Sequence, residues 1–171
     1  MKRTILLSLF CLAGIVMANA QKFALIDMEY IMENIPEYQQ ANNELELASQ
    51  QYQKAIEAKA KEAEALYLAY QKAANTLSAT QRTQKEEAIV AKEREAAELR
   101  KKYFGPEGEM AQKQEALIAP IQNRIYEVVK QISTQKGYDA VIDRASATSI
   151  IFASPRIDIS NEVLAKLGYS N

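Results

Sequence analysis

The chain has 171 residues, of which 25% are charged and 48% hydrophobic, and its formal net charge is −1 at pH 7. It lacks the basic excess typical of nucleic-acid binding proteins, so we expect no nucleic-acid partner. The sequence contains no His and one Cys, Cys11, which excludes Ser/His/Asp and Cys/His nucleophile systems and His/Cys zinc sites. We therefore expect a binding or holding protein that uses no cofactor, and not an enzyme.

Residues 1–20 have the features of a secretory signal peptide. Lys2 and Arg3 supply a positive start, Ile5 to Met17 is an apolar run, and Ala18-Asn19-Ala20 is a small-residue cleavage site. We therefore predict export and cleavage after Ala20. A retained membrane anchor is the alternative, but the apolar run is shorter than the ~20 residues that a membrane span needs.

A second alternative is a lipoprotein anchored through Cys11, which we discount because bulky Phe10 precedes that Cys. Removal of Lys2 and Arg3 with the signal peptide leaves 19 basic and 22 acidic side chains. The mature chain would start near Gln21 and be slightly acidic.

The mature chain is predicted to begin with a strand and a short helix. Residues 23–27 form a short apolar run closed by Asp27, as in a strand buried on both faces. Apolar residues then recur at helical spacing, at Met28, Ile31, Met32 and Ile35. Pro36 disfavours helical geometry at Ile35 but suits the first turn of a following helix.

Residues 37–104 contain neither Gly nor Pro and are rich in Ala, Glu, Lys, Gln and Leu, so we predict helix throughout this stretch. A single rod of this length would extend roughly 100 Å, which so short a chain could not cover. We predict an antiparallel hairpin whose tip lies at residues 75–83. Ser78 with Gln81, and Thr83 with Glu86, have the spacing of a capping box at the start of the returning helix.

The hairpin has a thin, Ala-rich apolar seam and equal numbers of acidic and basic residues. Three tyrosines on the outgoing arm, Tyr52, Tyr67 and Tyr70, are candidates for weak contacts to unfolded chains, because Tyr offers both an apolar ring and a polar hydroxyl. The alternative is that these rings join the two arms, and the two roles are compatible.

The sequence Gly105-Pro106-Glu107-Gly108 interrupts the returning arm. We predict a hinge at Gly105, Pro106 and Gly108, with high mobility there and at the tip, and expect that Ala at Gly105 and Gly108 would stiffen the arm. A richer apolar helix follows, in which Pro120 produces a kink or starts a last segment, and Gly137 ends it.

The C-terminal part is predicted to contain two strands, at residues 138–143 and 149–153, and a last helix that starts near Asp158 and ends at Gly168. Asp139 and Asp143 lie on the same strand face and could serve as paired carboxylates or metal ligands. Without a third ligand in the pattern, we favour caps, turns or interface hydrogen bonds for both.

These elements give an α+β fold: a long antiparallel helical hairpin on a small head of strands and helices. The arm comprises residues 37–116, with the break at 105–108, and the head comprises residues 21–36 and 117–171. A head of roughly 70 residues supplies only ~3–5 kcal/mol from one core, so we expect oligomerisation. The candidates for the oligomerisation core are apolar strand residues, namely Phe23, Leu25, Val141, Ile150 and Phe152.

In this order of elements the chain resembles the Skp/OmpH family of periplasmic chaperones, in particular its Bacteroidetes-type members. The matching stretches are residues 22–28, 137–143 and 158–164 of the head, around an arm pair of similar length. The resemblance implies a periplasmic homotrimer with a small central β-barrel, whose arms cage unfolded outer-membrane proteins without ATP. It also implies delivery for outer-membrane assembly, with assembly machinery as a further partner and membrane contact that is at most peripheral.

Two features depart from the family pattern. Better-known members are markedly basic, whereas this mature chain is slightly acidic, and the break at residues 105–108 is an addition to a plain hairpin. Two other functions remain open from the residues alone. One is a coiled-coil adaptor or spacer of the envelope that binds a folded partner; the other, which we disfavour, is a carboxylate-only enzyme, because a thin Ala seam offers no water-excluding pocket.

Overall fold

A computed structural model describes residues 21–169, so the expected signal peptide and its cleavage site lie outside the described residues. The described chain divides into two compact units, a head unit (residues 21–31 and 127–169) and an arm unit (residues 32–126). The elements in chain order are β1 (Phe23–Ile26), α1 (Met28–Glu33), α2 (Pro36–Ala73), α3 (Ala79–Phe104), α4 (Glu109–Lys136), β2 (Ala140–Asp143), a 3-10 helix (Pro155–Ile157) and α5 (Ser160–Leu167).

The head unit contains a two-stranded parallel sheet. β1 and β2 pair in register along all four residues of each strand. On the other side of β1, Leu25 bridges Asp158, and its carbonyl accepts a hydrogen bond of 2.8 Å from the N–H of Ile159. β1 thus has neighbours on both sides, which agrees with the apolar run that predicted a buried strand.

The head core lies against this sheet. It consists of buried apolar side chains from β1, α1, the end of α4 and α5, namely Ala24, Leu25, Ile26, Ile31, Ile132, Ile159, Val163 and Leu164. Gly137 and Gly168, predicted to end the two helices, follow them with φ of 67° and 93°. Because these left-handed values are costly for residues with a Cβ, glycine is the residue that fits both helix ends.

The prediction of a third strand at residues 149–153 is wrong for the described chain, in which this segment is irregular. Ile151 is fully exposed and Phe152 is 85% exposed. A strand needs a hydrogen-bonded neighbour, and residues 149–153 pair with neither strand of the two-stranded sheet in the described chain. The local β propensity of Ile and Phe therefore does not produce a strand in this single chain.

The arm unit is built on the predicted antiparallel pair, formed by α2 and α3. α2 ends at Ala73 and α3 begins at Ala79, which places the turn within the expected tip. Ser78 and Gln81 form the predicted capping box, with reciprocal bonds of 3.4 and 3.0 Å between side chains and backbone N–H groups. The Thr83 hydroxyl instead donates to the Ala79 carbonyl, so the second capping box is wrong.

The arm seam is narrow, as expected. Its buried residues on α2 and α3 are mostly small, namely Ala41, Ala48, Ile56, Ala63 and Ile89.

The prolines of α2 and α4 have different positions. Ile35 is extended, with φ of −102° and ψ of 115°, and Pro36 occupies the first turn of α2 as predicted. Pro120 lies inside α4, which continues through it, so Pro120 does not begin a separate helix. Among residues 21–169, no helix is both long and apolar enough to cross a membrane.

Candidate functional site

The break between α3 and α4 is a compact, hydrogen-bonded turn. The Gly105 N–H donates to the Lys101 carbonyl, the Gly108 N–H donates to the Gly105 carbonyl, both at 2.9 Å, and the Gln112 N–H donates to the Gly108 carbonyl at 3.1 Å. The side-chain amide of Gln112 also donates to the Glu107 carbonyl at 2.9 Å. The helix is interrupted here, but its backbone groups find partners immediately.

The two glycines are required by close backbone approach. A Cβ on Gly105 would lie 2.4 Å from the Lys101 carbonyl oxygen, and one on Gly108 would lie 2.8 Å from the Lys102 carbonyl oxygen. Because the obstructing atoms are backbone atoms, Ala could enter only if the turn moved. Ala at Gly105 or Gly108 would therefore strain the turn, whereas the stiffening of the arm by these substitutions and a hinge role for Gly105, Pro106 and Gly108 stay predictions.

An aromatic cluster joins α2 to the end of α3 directly beside the break. The ring of Tyr52 stacks on that of Tyr103, with centroids 4.1 Å apart and planes 6° apart. Tyr52 also meets Phe104 edge-on at 6.3 Å, and the Lys102 ammonium lies 5.3 Å from the centre of the Tyr103 ring. Of the two roles considered for Tyr52, the structure shows the arm-joining one.

Charged groups complete this aromatic cluster. Lys102 Nζ lies 3.2 Å from Glu109 Oε1, the first residue of α4. Hydrogen bonding to the Glu109 carboxylate raises the pKa of Tyr52, and partial burial adds to the effect. In return, Tyr52 and Lys102 lower the pKa of Glu109, while Glu109 raises that of Lys102. The start of α4 is thereby linked to α2 and to the end of α3.

Midway along the arm, four charged side chains form a closed ion ring: Lys59 and Glu62 from α2, and Lys92 and Glu95 from α3. Each lysine lies within 3.0–3.3 Å of both carboxylates. Bonds from Lys92 and then Lys59 lower the pKa of Glu62 and of Glu95, and those carboxylates raise the pKa of Lys92. The sequence contained one signal for this ring, because Lys59 interrupts the apolar spacing of α2.

The other two candidate tyrosines differ from Tyr52. The Tyr70 hydroxyl donates to Glu86 Oε1 on the opposite arm, and this bond raises the pKa of Tyr70. The ring of Tyr67 remains 48% exposed, and its hydroxyl accepts a bond of 2.9 Å from the Gln71 amide on the same helix. Tyr67 therefore offers the most accessible ring of the three.

Large aliphatic side chains are also exposed on the hairpin. Leu47, Leu68 and Val90 are between 48% and 60% exposed, spread along α2 and α3 among charged residues. The spacing of Leu47 and Leu68 from the buried seam places them on the outer side of α2. The arm thus presents separate apolar sites in a hydrophilic surface.

The five oligomerisation candidates have different environments in the head unit. Leu25 is 4% exposed and packs in the core of its own chain, so it is not available at a surface. Phe23 and Phe152 are exposed, and Val141 and Ile150 are half-buried. Ile142 and Ile151 lie in the same two segments and are also exposed, but the sequence analysis did not include them among the candidates.

The head carboxylates have structural partners. Asp139 accepts a bond from the Lys22 N–H at 2.8 Å, and Asp143 Oδ1 accepts bonds of 3.1 Å from the N–H groups of Met28 and Ala145. Burial alone would raise the pKa of Asp143, but these backbone bonds, with further ones from Ser146, outweigh it and lower the pKa. Both carboxylates thus make hydrogen bonds of the kind that the sequence analysis favoured for them.

An ion-pair cluster fixes the segment that follows β2. Arg144 contacts Asp27 at 3.1 Å and Asp158 at 3.4 Å, and Asp158 Oδ1 accepts bonds from both the hydroxyl and the N–H of Ser160. The cluster therefore ties the end of β2 to the end of β1 and the start of α5. Among residues 21–169, no group of three or more acidic, His or Cys side chains is arranged to hold a metal ion.

Comparison with known proteins supports the resemblance. The family described as OmpH, outer membrane protein (OmpH-like), matches residues 22–167. A "Chaperone protein Skp" of Yersinia enterocolitica is 26% identical over 156 residues, covering 91% of this chain and 92% of that protein. Another of the same name from Pectobacterium atrosepticum is 24% identical over 148 residues, covering 86% of each chain.

The fold is also similar to a solved structure. A crystal structure of an OmpH-like outer membrane chaperone from Caulobacter crescentus superimposes with a TM-score of 0.67, covering 86% of this chain and 83% of that one at 13% identity. The predicted fold, a long helical hairpin with a small head, is confirmed by this match and by the elements described above. The chain belongs to the OmpH-like outer membrane protein family.

Proposed function

We propose that this protein is an ATP-independent periplasmic holdase, which keeps unfolded outer-membrane proteins soluble and passes them on for assembly. The observation that carries the proposal is the arm surface. Large apolar side chains, including Tyr67, Leu68 and Val90, stand half exposed on a two-helix arm whose narrow seam buries mostly small residues. Many weak apolar contacts made together retain an unfolded chain, although each alone is weak.

Charge balance and family membership agree with this function. Residues 37–104 carry equal numbers of acidic and basic groups, which keeps the arm soluble while the apolar sites stay exposed. Relatives named as Skp chaperones match over almost their entire length. A chaperone role needs no catalytic group, and the carboxylates considered for catalysis accept structural hydrogen bonds.

We further propose a homotrimer assembled through the head. Phe23, Ile151 and Phe152 expose apolar surface on a small unit whose core is limited. In the described residues one edge of β2 has no strand neighbour, and such an edge can pair with a strand of another chain. Residues 149–153, irregular in the described chain, carry the exposed Ile151 and Phe152, which would pack against a neighbouring copy.

The test uses the mature chain from Gln21 and a urea-unfolded outer-membrane β-barrel protein. On dilution from urea, we expect light scattering to be suppressed at about one trimer per client, equally with and without ATP. Light scattering coupled to size-exclusion chromatography should give the mass of three chains. A monomer that leaves aggregation unchanged would contradict the proposal, and tight binding of one folded envelope protein with no effect on unfolded clients would instead favour the adaptor.

A further inference from the structure

A groove of about 430 Å³ opens between α2 and α3, at the same level of the arm as the ion ring. Its α2 side is lined by residues spaced as one helical face, and so is its α3 side. The lining residues are Ile56, Ala60, Ala63, Glu64 and Tyr67 from α2, and Glu93, Ala96, Ala97 and Arg100 from α3. Its volume lies within the range of about 300–1,000 Å³ that is common for ligand pockets.

The inside of the groove is apolar and is left unfilled by the chain itself. Ile56 and Ala63 are buried beneath it, and the ring of Tyr67 forms one wall. Ala60 of α2 and Ala97 of α3 are exposed on the two edges of the groove opening, here called the lips. Because the side chain at each lip is only a methyl group, one large apolar side chain of another molecule can enter the groove.

The charges around the groove differ from those of the neighbouring ion ring. In the ring, every charge has two opposite partners. By contrast, within residues 21–169, Glu64, Glu93 and Arg100 take part in no salt bridge or side-chain hydrogen bond. The apolar opening is therefore surrounded by two carboxylates and one guanidinium that are free to bind a ligand. Together these three groups carry a net charge of −1.

We propose that this groove binds an extended segment of unfolded polypeptide that carries a large apolar side chain next to a Lys or Arg. The apolar side chain enters between the lips, the basic side chain pairs with Glu64 and Glu93, and Arg100 donates to a backbone carbonyl of the segment. The negative balance of the rim selects a basic neighbour over an acidic one. This inference rests on the proposed holdase function and gives its clients a local sequence preference.

The first test fills the groove. Binding of a fluorescein-labelled peptide with a single Phe next to a Lys is measured by anisotropy on the assembled full mature protein. We expect Ala60→Leu and Ala97→Leu to weaken binding about tenfold, because the introduced side chains occupy the space of the Phe. The matched controls Ala65→Leu and Ala91→Leu add the same side chain at exposed positions outside the groove and should bind as the parent does.

The second test changes the rim. With Glu64→Lys and Glu93→Lys together, preference should reverse, so that a peptide with Asp beside the Phe binds more tightly than the one with Lys. Glu57→Lys with Glu87→Lys makes the same charge change outside the groove and should keep the original preference. Circular dichroism on every variant separates loss of binding from loss of helix.

The outcomes distinguish this inference from the holdase proposal. If the parent suppresses client aggregation but Ala60→Leu and Ala97→Leu bind the peptide as the parent does, the groove assignment is overturned and the holdase function stands. If the parent does not suppress aggregation, the holdase function fails, and specific peptide binding in the groove is then still decided by its own variants. A peptide preference that is unchanged by the rim reversal overturns the charge argument.

Discussion

The rings of Tyr52 and Tyr103 stack within 6° of parallel, with their centres 4.1 Å apart, at the level where α3 gives way to α4. This stacked pair lies beside Gly105-Pro106, the only Gly-Pro dipeptide in the sequence. Together with Glu109 and Lys102, it links all three helix segments that meet at the break. The break is therefore braced by side chains as well as by its own backbone bonds.

Removal of this stacking should weaken the arm. We expect Tyr52→Leu or Tyr103→Leu to lower the Tm by about 2–4 °C, because the stacking of two partly exposed rings is lost. The double variant should lose less than the sum of the two single ones, since both remove the same contact. Tyr126→Leu, at an exposed tyrosine of the arm unit, is the control and should change Tm little. Additive losses would show that the two rings act independently.

The glycines of the break should resist substitution. Gly105→Ala should cost about 1–3 kcal/mol in the free energy of unfolding, because its Cβ meets the Lys101 carbonyl oxygen at 2.4 Å. Denaturant unfolding at fixed protein concentration measures this cost. Glu107→Ala, in the same turn but with an exposed side chain, should be nearly neutral. A stabilised Gly105→Ala protein would show that the turn relaxes freely and would support the expectation of a stiffened arm.

The ion ring should make arm stability depend on pH. The pKa values of Glu62 and Glu95 are lowered in the folded state. The two carboxylates therefore stabilise the folded state fully above their unfolded pKa, near 4.3. This stabilisation is lost as pH falls through the lower folded values. We expect the Tm of the parent to fall more steeply below roughly pH 4.5 than that of Glu62→Gln with Glu95→Gln. If the Tm of the parent and of the double variant depended on pH in the same way, the ion ring would not be the cause of the acid sensitivity.

Salt should have a parallel effect on the same ring. Because its side chains are partly exposed, added salt screens their attraction. At neutral pH we expect Lys92→Met to lower the Tm by about 1–3 °C in low salt and by less in 1 M NaCl. Arg94→Met removes an exposed pair with Glu98 within α3 and is the matched control, with a smaller change expected at low salt.

Assembly should depend on the exposed apolar surface of the head. We expect Phe152→Asp to reduce the mass in solution from three chains to one, because an exposed Phe that packs against another copy is replaced by a charge. Leu47→Asp makes the same kind of change at an exposed position of the arm and should leave the mass unchanged. A trimer that survives Phe152→Asp would place the interface elsewhere on the chain.

Local features of the sequence were sufficient for most helix boundaries. The Gly- and Pro-free stretch, the polar tip and the Ser78–Gln81 pair predicted the hairpin, because helix propensity and capping are decided by residues close in sequence. The prediction of the third strand was wrong because a strand, unlike a helix, depends on residues that are not close in sequence. A strand is stabilised by a partner that is distant in sequence or belongs to another chain, and residues 149–153 have no such partner in the described chain.

In the candidate site, too, some features could be predicted from the sequence and others only from the folded structure. The sequence identified the tyrosines and the break, since each stands out from its neighbours in a regular helix. Only the tertiary structure decided that Tyr52 faces Tyr103, that Lys59 completes a ring with Glu95, and that four alanines leave an apolar groove beside unpaired charges. Each of these depends on the register of two helices, which the turn length and seam packing set together. A pattern along one helix determines which residues share a face, whereas the partners of that face are determined only when the chain folds back.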